Sequence, residues 1–379
     1  MGLLPMKIRQ IMPLPFSALL TWFCFTHILT LTAHGADDWN ERAERSQQSL
    51  EENFWNERSS LFRNQFPRIP RRDNFNYWWQ AQALDALIDQ YERTRNKKDL
   101  DRARELFEGI TKRNGKLTND YRDDMLWLAL GLLRLHDHAP DPEIKKAIDT
   151  LWVEVKKGWN ESHGGGIGWR IQQPDYKALP ANAPAVILAA RLHQRFHRKE
   201  DLEWALKIQK WIEDTLIDPQ SGFVWDGVNR RDRGQIDRHW KFTYNQGTVI
   251  GGMLELHTST KEKKWLEKAH RTADASIKHW AEPNDGLFPE NGRGDGGLFK
   301  GIIVRYLGQL IEHDPPASQK YRDLLTKNAE AVWTVSSKGT PLLFSPDWRR
   351  TDPVTSTELS SQLSAIMLFE QVARFQKEG

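Results

Sequence analysis

The sequence predicts an all-α protein, an (α/α)6 barrel of six helical hairpins. Three observations carry this expectation. Apolar residues recur at helical spacing through twelve segments, with few runs of β-branched residues. The segments alternate between an amphipathic kind with a charged outer face and a kind that is apolar or small on most sides, as a helix covered by neighbours must be. An open solenoid would show repeating consensus residues, and the 379 residues contain no clear internal repeat.

The first outer and inner pair covers 38–63 and 77–93, and Asn74-Phe75-Asn76-Tyr77-Trp78-Trp79-Gln80 opens the inner member. The second covers 99–113, between Asn96 and Gly115, and 122–138, opened by Asn119-Asp120-Tyr121-Arg122-Asp123-Asp124. The third starts at Asp141-Pro142, runs over 142–157 and breaks at Gly158. Gly164-Gly165-Gly166-Ile167-Gly168-Trp169-Arg170 and the stretch to Asn182 lead into its partner, 182–198. The fourth covers 200–215 and 244–259, with Phe223-Val224-Trp225-Asp226-Gly227 and Phe242-Thr243-Tyr244-Asn245-Gln246 before the inner helix. The fifth covers 262–280 and 298–313, joined by a glycine-rich stretch from Pro289 to Gly297. The sixth follows Pro315-Pro316 and covers 317–336 and 357–375, separated by Gly339 and by Ser345-Pro346-Asp347-Trp348-Arg349-Arg350. Inner helices of such a barrel all run one way, so the segments before them are expected to converge from all six hairpins at one mouth. They carry aromatic, carboxylate, amide and glycine residues, the composition of a carbohydrate cleft.

Residues 1–35 read as a signal peptide and 36–379 as the catalytic barrel. Lys7 and Arg9 form a positive start, an apolar run spans Phe16 to Leu31, and Ala33-His34-Gly35 offers small residues for cleavage. The run is shorter than the roughly 20 residues a membrane span needs. A secreted or periplasmic protein without membrane insertion is expected. The one cysteine, Cys24, falls in that segment, which excludes an intrachain disulfide framework and a multi-thiolate zinc site. His193 and His197 have no third ligand nearby in sequence, so no metal site is expected. With 54 basic and 51 acidic residues, nucleic acid is not an expected partner. The 17 Trp against 7 Tyr suit core packing and sugar-stacking platforms. Neither glycine-rich stretch has the spacing or the preceding strand of a nucleotide loop.

Tyr121-Arg122-Asp123-Asp124-Met125-Leu126-Trp127 is the strongest chemical feature. Acidic residues at a helix start often serve only as caps. Here an apolar inner helix follows, which places both carboxyls at the mouth over a buried floor. Glycoside hydrolysis needs one ionised and one protonated carboxyl. Adjacent helical residues diverge by about 100°, yet their carboxyls can sit roughly 5 Å apart, as in retaining enzymes. Repulsion and desolvation then raise one pKa. From the residues alone, which aspartate is the nucleophile stays open.

Five segments together resemble glycoside hydrolase family 76, a family that includes endo-α-1,6-mannanases. They are Tyr77-Trp78-Trp79-Gln80-Ala81-Gln82-Ala83-Leu84-Asp85, Asp123-Asp124, Gly164 to Arg170, Phe242-Thr243-Tyr244-Asn245-Gln246-Gly247 and Phe299-Lys300-Gly301-Ile302. The resemblance implies an (α/α)6 barrel, α-1,6-linked mannan as substrate, a retaining mechanism with Asp123 as nucleophile and Asp124 as acid/base, and no cofactor. Leu128 after Trp127 and Gly168 before Trp169 replace aromatics common in the family, which bears on subsite shape. The candidate substrate-binding residues are Asn76, Trp78, Trp79, Gln80, Tyr121, Gly166, Ile167, Trp169, Asn182, Trp225, Asp226, Tyr244, Asn245, Gln246, Phe299 and Lys300, in a protein expected to be a monomer. The alternatives are another carbohydrate-active (α/α)6 enzyme (exo-mannosidase, transglycosylase or uronide hydrolase) or a non-catalytic glycan-binding barrel, which would not need the aspartate pair.

Overall fold

The computed structural model describes residues 1–2, 38–70 and 74–376. The export segment expected over 1–35 lies, but for its first two residues, outside the described residues. The described residues from Asp38 onward form one compact unit. Its helices are α1 (Trp39–Phe54), α2 (Tyr77–Thr94), α3 (Lys97–Asn114), α4 (Arg122–His138), α5 (Pro142–Lys156), α6 (Ala183–Phe196), α7 (Lys199–Thr215), α8 (Thr243–Thr260), α9 (Lys263–Ser276), α10 (Gly296–His313), α11 (Gln319–Ser336) and α12 (Leu359–Gln376).

The even-numbered helices form the inner ring. Each packs on the next, and α12 returns to α2. Their burial follows from composition: α8 is buried along Thr243 to Leu256, whereas α9 buries only one stripe, Trp265, Ala269, Thr272, Ala273 and Ser276. The (α/α)6 barrel is therefore present, with one change in pairing. Outer helices α3, α5, α7 and α9 sit on the inner helix that precedes them, α11 packs on both α10 and α12, and α1 closes the ring against α12. The short connections cause this. α2, α6 and α8 end in left-handed residues, Arg95, His197 and Lys261, with φ of 61°, 55° and 60°. Such a cap satisfies a terminal carbonyl and reverses the chain at once. The long segments before the inner helices are left to spread over one mouth.

Two boundaries differ from expectation. α1 stops at Phe54, and Trp55 pairs with Phe62 in a short antiparallel hairpin turned at Ser60, whose φ is 51°. α9 passes into a π-turn over Ile277–Ala281, followed by a 3-10 turn, Glu282–Asn284, that contains Pro283.

One device ties the mouth segments to the inner ring. The Gln80 amide accepts from Phe62 N–H at 2.9 Å and donates to Phe62 C=O at 2.8 Å. Gln246 does the same to Val224, at 2.9 and 2.8 Å, and Asn182 to Ile167, at 2.8 and 3.0 Å. Gln362 accepts from Phe344 N–H at 3.1 Å. Each side chain satisfies buried backbone groups left without a backbone partner. Gln246→Leu is expected to cost about 1–3 kcal/mol by stranding the Val224 peptide groups; a urea midpoint unchanged from wild type would contradict this.

Deep in the ring lies a buried ion network. Asp89 accepts from Arg134 at 2.8 Å and from Arg305 at 2.8 and 2.6 Å, Asp85 pairs with both arginines, and Arg191 bonds Glu255 at 2.6 Å. Trp127 lies between this network and the mouth, lining a small void on one side and the large cleft on the other. Among the described residues no helix is long and apolar enough to cross a membrane.

Candidate active site

A cleft of about 550 Å³ occupies the mouth. Five of the six inner-helix entrances line it; the sixth does not. In the sixth segment Trp348 is buried, and the Lys300 ammonium from α10 lies 4.6 Å from its ring centroid and donates to the Pro346 carbonyl. This contact folds the segment down beside α10, so the expected convergence from all six hairpins becomes convergence from five.

Asp123 and Asp124 occupy the first turn of α4, with Tyr121 at the N-cap in extended conformation. Trp169 donates its indole N–H to Asp123 Oδ2 at 2.9 Å. Asn119 donates to Asp124 Oδ2 at 2.8 Å. Burial pushes the Asp123 carboxyl up to about 6, opposed chiefly by that indole N–H. Burial, with the charges of Asp123 and Asp295 added, holds Asp124 well above the usual carboxylate range. Both carboxyls thus favour the protonated form more than a free aspartate does, Asp124 with two neighbouring charges added to its burial.

Asp226 anchors the facing wall. Its Oδ1 accepts from Tyr244 OH and Asn245 Nδ2, both at 2.9 Å, and its Oδ2 accepts from Tyr176 OH at 3.2 Å and pairs with Arg230. The Arg230 guanidinium also lies 4.8 Å from the Tyr176 ring and 4.3 Å from the ring of Trp240, which is 42% exposed at the rim. An aromatic series completes the cleft. Trp78 lies 6.4 Å from Trp127 and 6.3 Å from Phe299, Phe299 lies 4.3 Å from Tyr244, and Tyr244 stacks on Phe242 at 5.6 Å. Among the described residues no cluster of His, Cys, Asp and Glu is arranged to hold a metal ion.

Of the sequence candidates beyond the aspartate pair, Asn76, Trp78, Tyr121, Trp169, Asp226, Tyr244 and Phe299 line the cleft. The others do not line it. Gln80, Asn182 and Gln246 spend their amides on backbone, as above. Gly166 packs on the Trp211 ring, Ile167 is fully buried, and Trp225 lies against Phe223 at 5.3 Å. Asn245 reaches Asp226, not the cleft, and Trp79 is 6% exposed with its N–H on Asp295. Lys300 is fully buried, and burial lowers its ammonium to about 7. Gly168 cannot carry an aromatic, because a Cβ there would collide with the Pro174 carbonyl.

Asn119, Trp127, Tyr176, Arg230, Trp240, Phe242 and Asp295 also line the cleft and were not among the sequence candidates. Two had a usable signal. Trp127 lies four residues after Asp123, and Asp295 lies four before Phe299, so each shares a helical face with a candidate. Tyr176, Arg230 and Trp240 come from loops, where no period says which way a residue faces.

Residues 38–378 match glycosyl hydrolase family 76. The α-1,6-mannanase GH76A of Salegentibacter sp. HEL1_6 shares the fold at a TM-score of 0.83 and 40% identity, over 89% of this chain and 99% of that one. A variant of that enzyme inactivated at two adjacent aspartates is known in complex with α-1,6-mannotetrose. The Lin0763 protein of Listeria innocua superposes at a TM-score of 0.85 with 37% identity, over 90% and 99% of the two chains. The mannan endo-1,6-alpha-mannosidase DCW1 of Candida glabrata is 26% identical over 294 residues, 70% of this chain and 65% of its own. The chain spans less than two thirds of the length of the curated fungal relatives of that name. This chain belongs to glycosyl hydrolase family 76.

Proposed function

We propose that this family 76 member hydrolyses α-1,6-mannosidic bonds within mannan chains, with retention of anomeric configuration. The observation that carries the reading is the Asp123–Asp124 pair, two adjacent carboxyls lining one cleft, with the Trp169 indole N–H on the first and the Asn119 amide on the second. The names of the similar enzymes support the substrate, and the inactivation of one of them at adjacent aspartates supports the pair.

Asp123 is the nucleophile. Its carboxylate attacks C1 of the mannosyl unit while the bond from C1 to the O6 of the next sugar breaks, and Asp124 gives its proton to that departing oxygen. Asp124, now ionised, takes a proton from a water that attacks C1. The bond to Asp123 breaks and the starting protonation state returns. The Trp169 N–H keeps negative charge on Asp123 available for the first step. Both proton transfers and the nucleophile come from the aspartates, so the reaction needs no cofactor. Trp78, Trp127 and Phe299 supply apolar faces for the sugar rings. The protein acts outside the cytoplasm as a monomer after removal of residues 1–35.

Incubation with linear α-1,6-mannan tests the reading. Oligosaccharides of several lengths should appear early, and NMR should show the α-anomer forming first. Mannose as the sole early product would replace internal by terminal cleavage. An initial β-anomer would overturn retention, and no cleavage would overturn the reading itself. The rate should fall at low pH as Asp123 is protonated, around pH 6, and again at high pH as Asp124 loses its proton.

A further inference from the structure

We infer that Asp295 is a positioning residue for this cleft: one of its oxygens gathers Asn76, Trp78 and Trp79, and its charge faces the aspartate pair across the mouth. The inference rests on the catalytic reading of Asp123 and Asp124.

Trp78 and Trp79 are neighbours on α2, so their side chains leave the helix about 100° apart. Their indole nitrogens nevertheless converge on the same atom. Trp78 Nε1 lies 2.9 Å and Trp79 Nε1 2.8 Å from Asp295 Oδ1, and Asn76 Nδ2 lies 3.4 Å away. Hydrogen bonds to an ionised acceptor are the strong and directional kind. Trp78 is the ring that reaches both Trp127 and Phe299, so the contact with Asp295 helps to set the aromatic floor.

The chain before α10 is shaped to deliver this side chain. Gly292 and Gly294 take φ of 89° and 62°, which L side chains rarely adopt. Gly294 N–H donates to Glu358 at 2.7 Å. Gly296 lies so near the Asn291 carbonyl that a Cβ there would collide with it. Asp295 itself is exposed at the mouth.

The second part of the role is electrostatic. The charge of Asp295 raises both Asp123 and Asp124. The other charged or titratable groups in the cleft are Tyr77, Tyr121, Tyr176, Tyr244, Asp226 and Arg230. Arg230 is engaged by Asp226 and Asp237. Asp295 therefore helps Asp124 keep its proton.

Two variants separate the two contributions. Asp295→Asn keeps an oxygen acceptor for the indoles and removes the charge. Its KM for α-1,6-mannotetraose should stay near wild type, while the alkaline limb of kcat/KM shifts to lower pH. Asp295→Ala removes the acceptor as well. Its KM should rise on the order of tenfold, the effect of about 1.4 kcal/mol, with an altered near-UV tryptophan spectrum at an unchanged far-UV spectrum. Wild-type KM, pH profile and tryptophan spectrum in Asp295→Ala would overturn the inference, as would an unmoved alkaline limb in Asp295→Asn. The tryptophan spectrum is read without substrate, so it reports on the clamp even if wild type leaves mannan uncut, a result that would count against the catalytic reading alone.

Discussion

Asp123→Asn is expected to lose mannan hydrolysis and gain stability at once. Without a carboxylate to attack C1, turnover should fall by a factor on the order of 10⁴ to 10⁶. Asparagine keeps an oxygen for the Trp169 N–H, so the cleft should hold its shape. The stability gain follows from linkage. Folding raises this carboxyl from its ordinary 3.8 to about 6, with burial the main cause. A raised native pKa means that the native state favours the protonated form. Its contribution is fully present below the unfolded pKa and is lost as pH rises through about 6. At pH 7.5 the wild type therefore carries a penalty on the order of 2–3 kcal/mol that the neutral side chain lacks. Thermal melts should place the variant above wild type at pH 7.5 and bring the two together near pH 4. A folded variant that still cuts mannan would remove Asp123 from the mechanism. Equal melting temperatures at both pH values would remove the strain argument.

The second large effect lies far from the chemistry. Asp89→Ala should destabilise the barrel by about 3–5 kcal/mol, because it leaves the buried Arg134 and Arg305 guanidinium groups with only one of their two shared acceptors, Asp85. The Asp89 side chain is fully buried and ties α2 to α4 and α10. Breaking a buried pair costs more than the pair is worth, since desolvated charge remains. The expected fall in Tm is roughly 4–7 °C, with activity below the transition close to wild type. A Tm within about 2 °C of wild type would show that Asp85 and Glu92 hold the two arginines unaided.

How much of the site was legible depended on where each residue stood. Asp123 and Asp124 begin a helix whose apolar face is written in the seven or eight residues after them, so position and environment could be read together. Asp226 and Trp169 line the cleft, and the place of each is legible because it sits beside glycine or aromatic residues in a segment leading to an inner helix. Gln80, Asn182 and Gln246 stood at equally promising helix starts but turned inward. A carboxamide that caps a buried peptide group and one that binds a sugar hydroxyl have the same local sequence. Lys300 lies away from the cleft for a related reason: its cation packs against Trp348 and Pro346, residues more than forty positions away.

By itself the sequence determined the twelve helices, the two kinds of face, the family resemblance and the carboxylate pair. These depend on periodicity and on neighbours in the chain, and hydrophobic burial turns that pattern directly into an inner and an outer ring. Only the tertiary structure decided which outer helix backs which inner one, how far the two aspartates are raised, and that Asp295 joins them. The first depends on the short connections, and the others on desolvation and on charges brought together from α4 and the segment before α10. Coulomb interactions act through space and leave no period in the sequence.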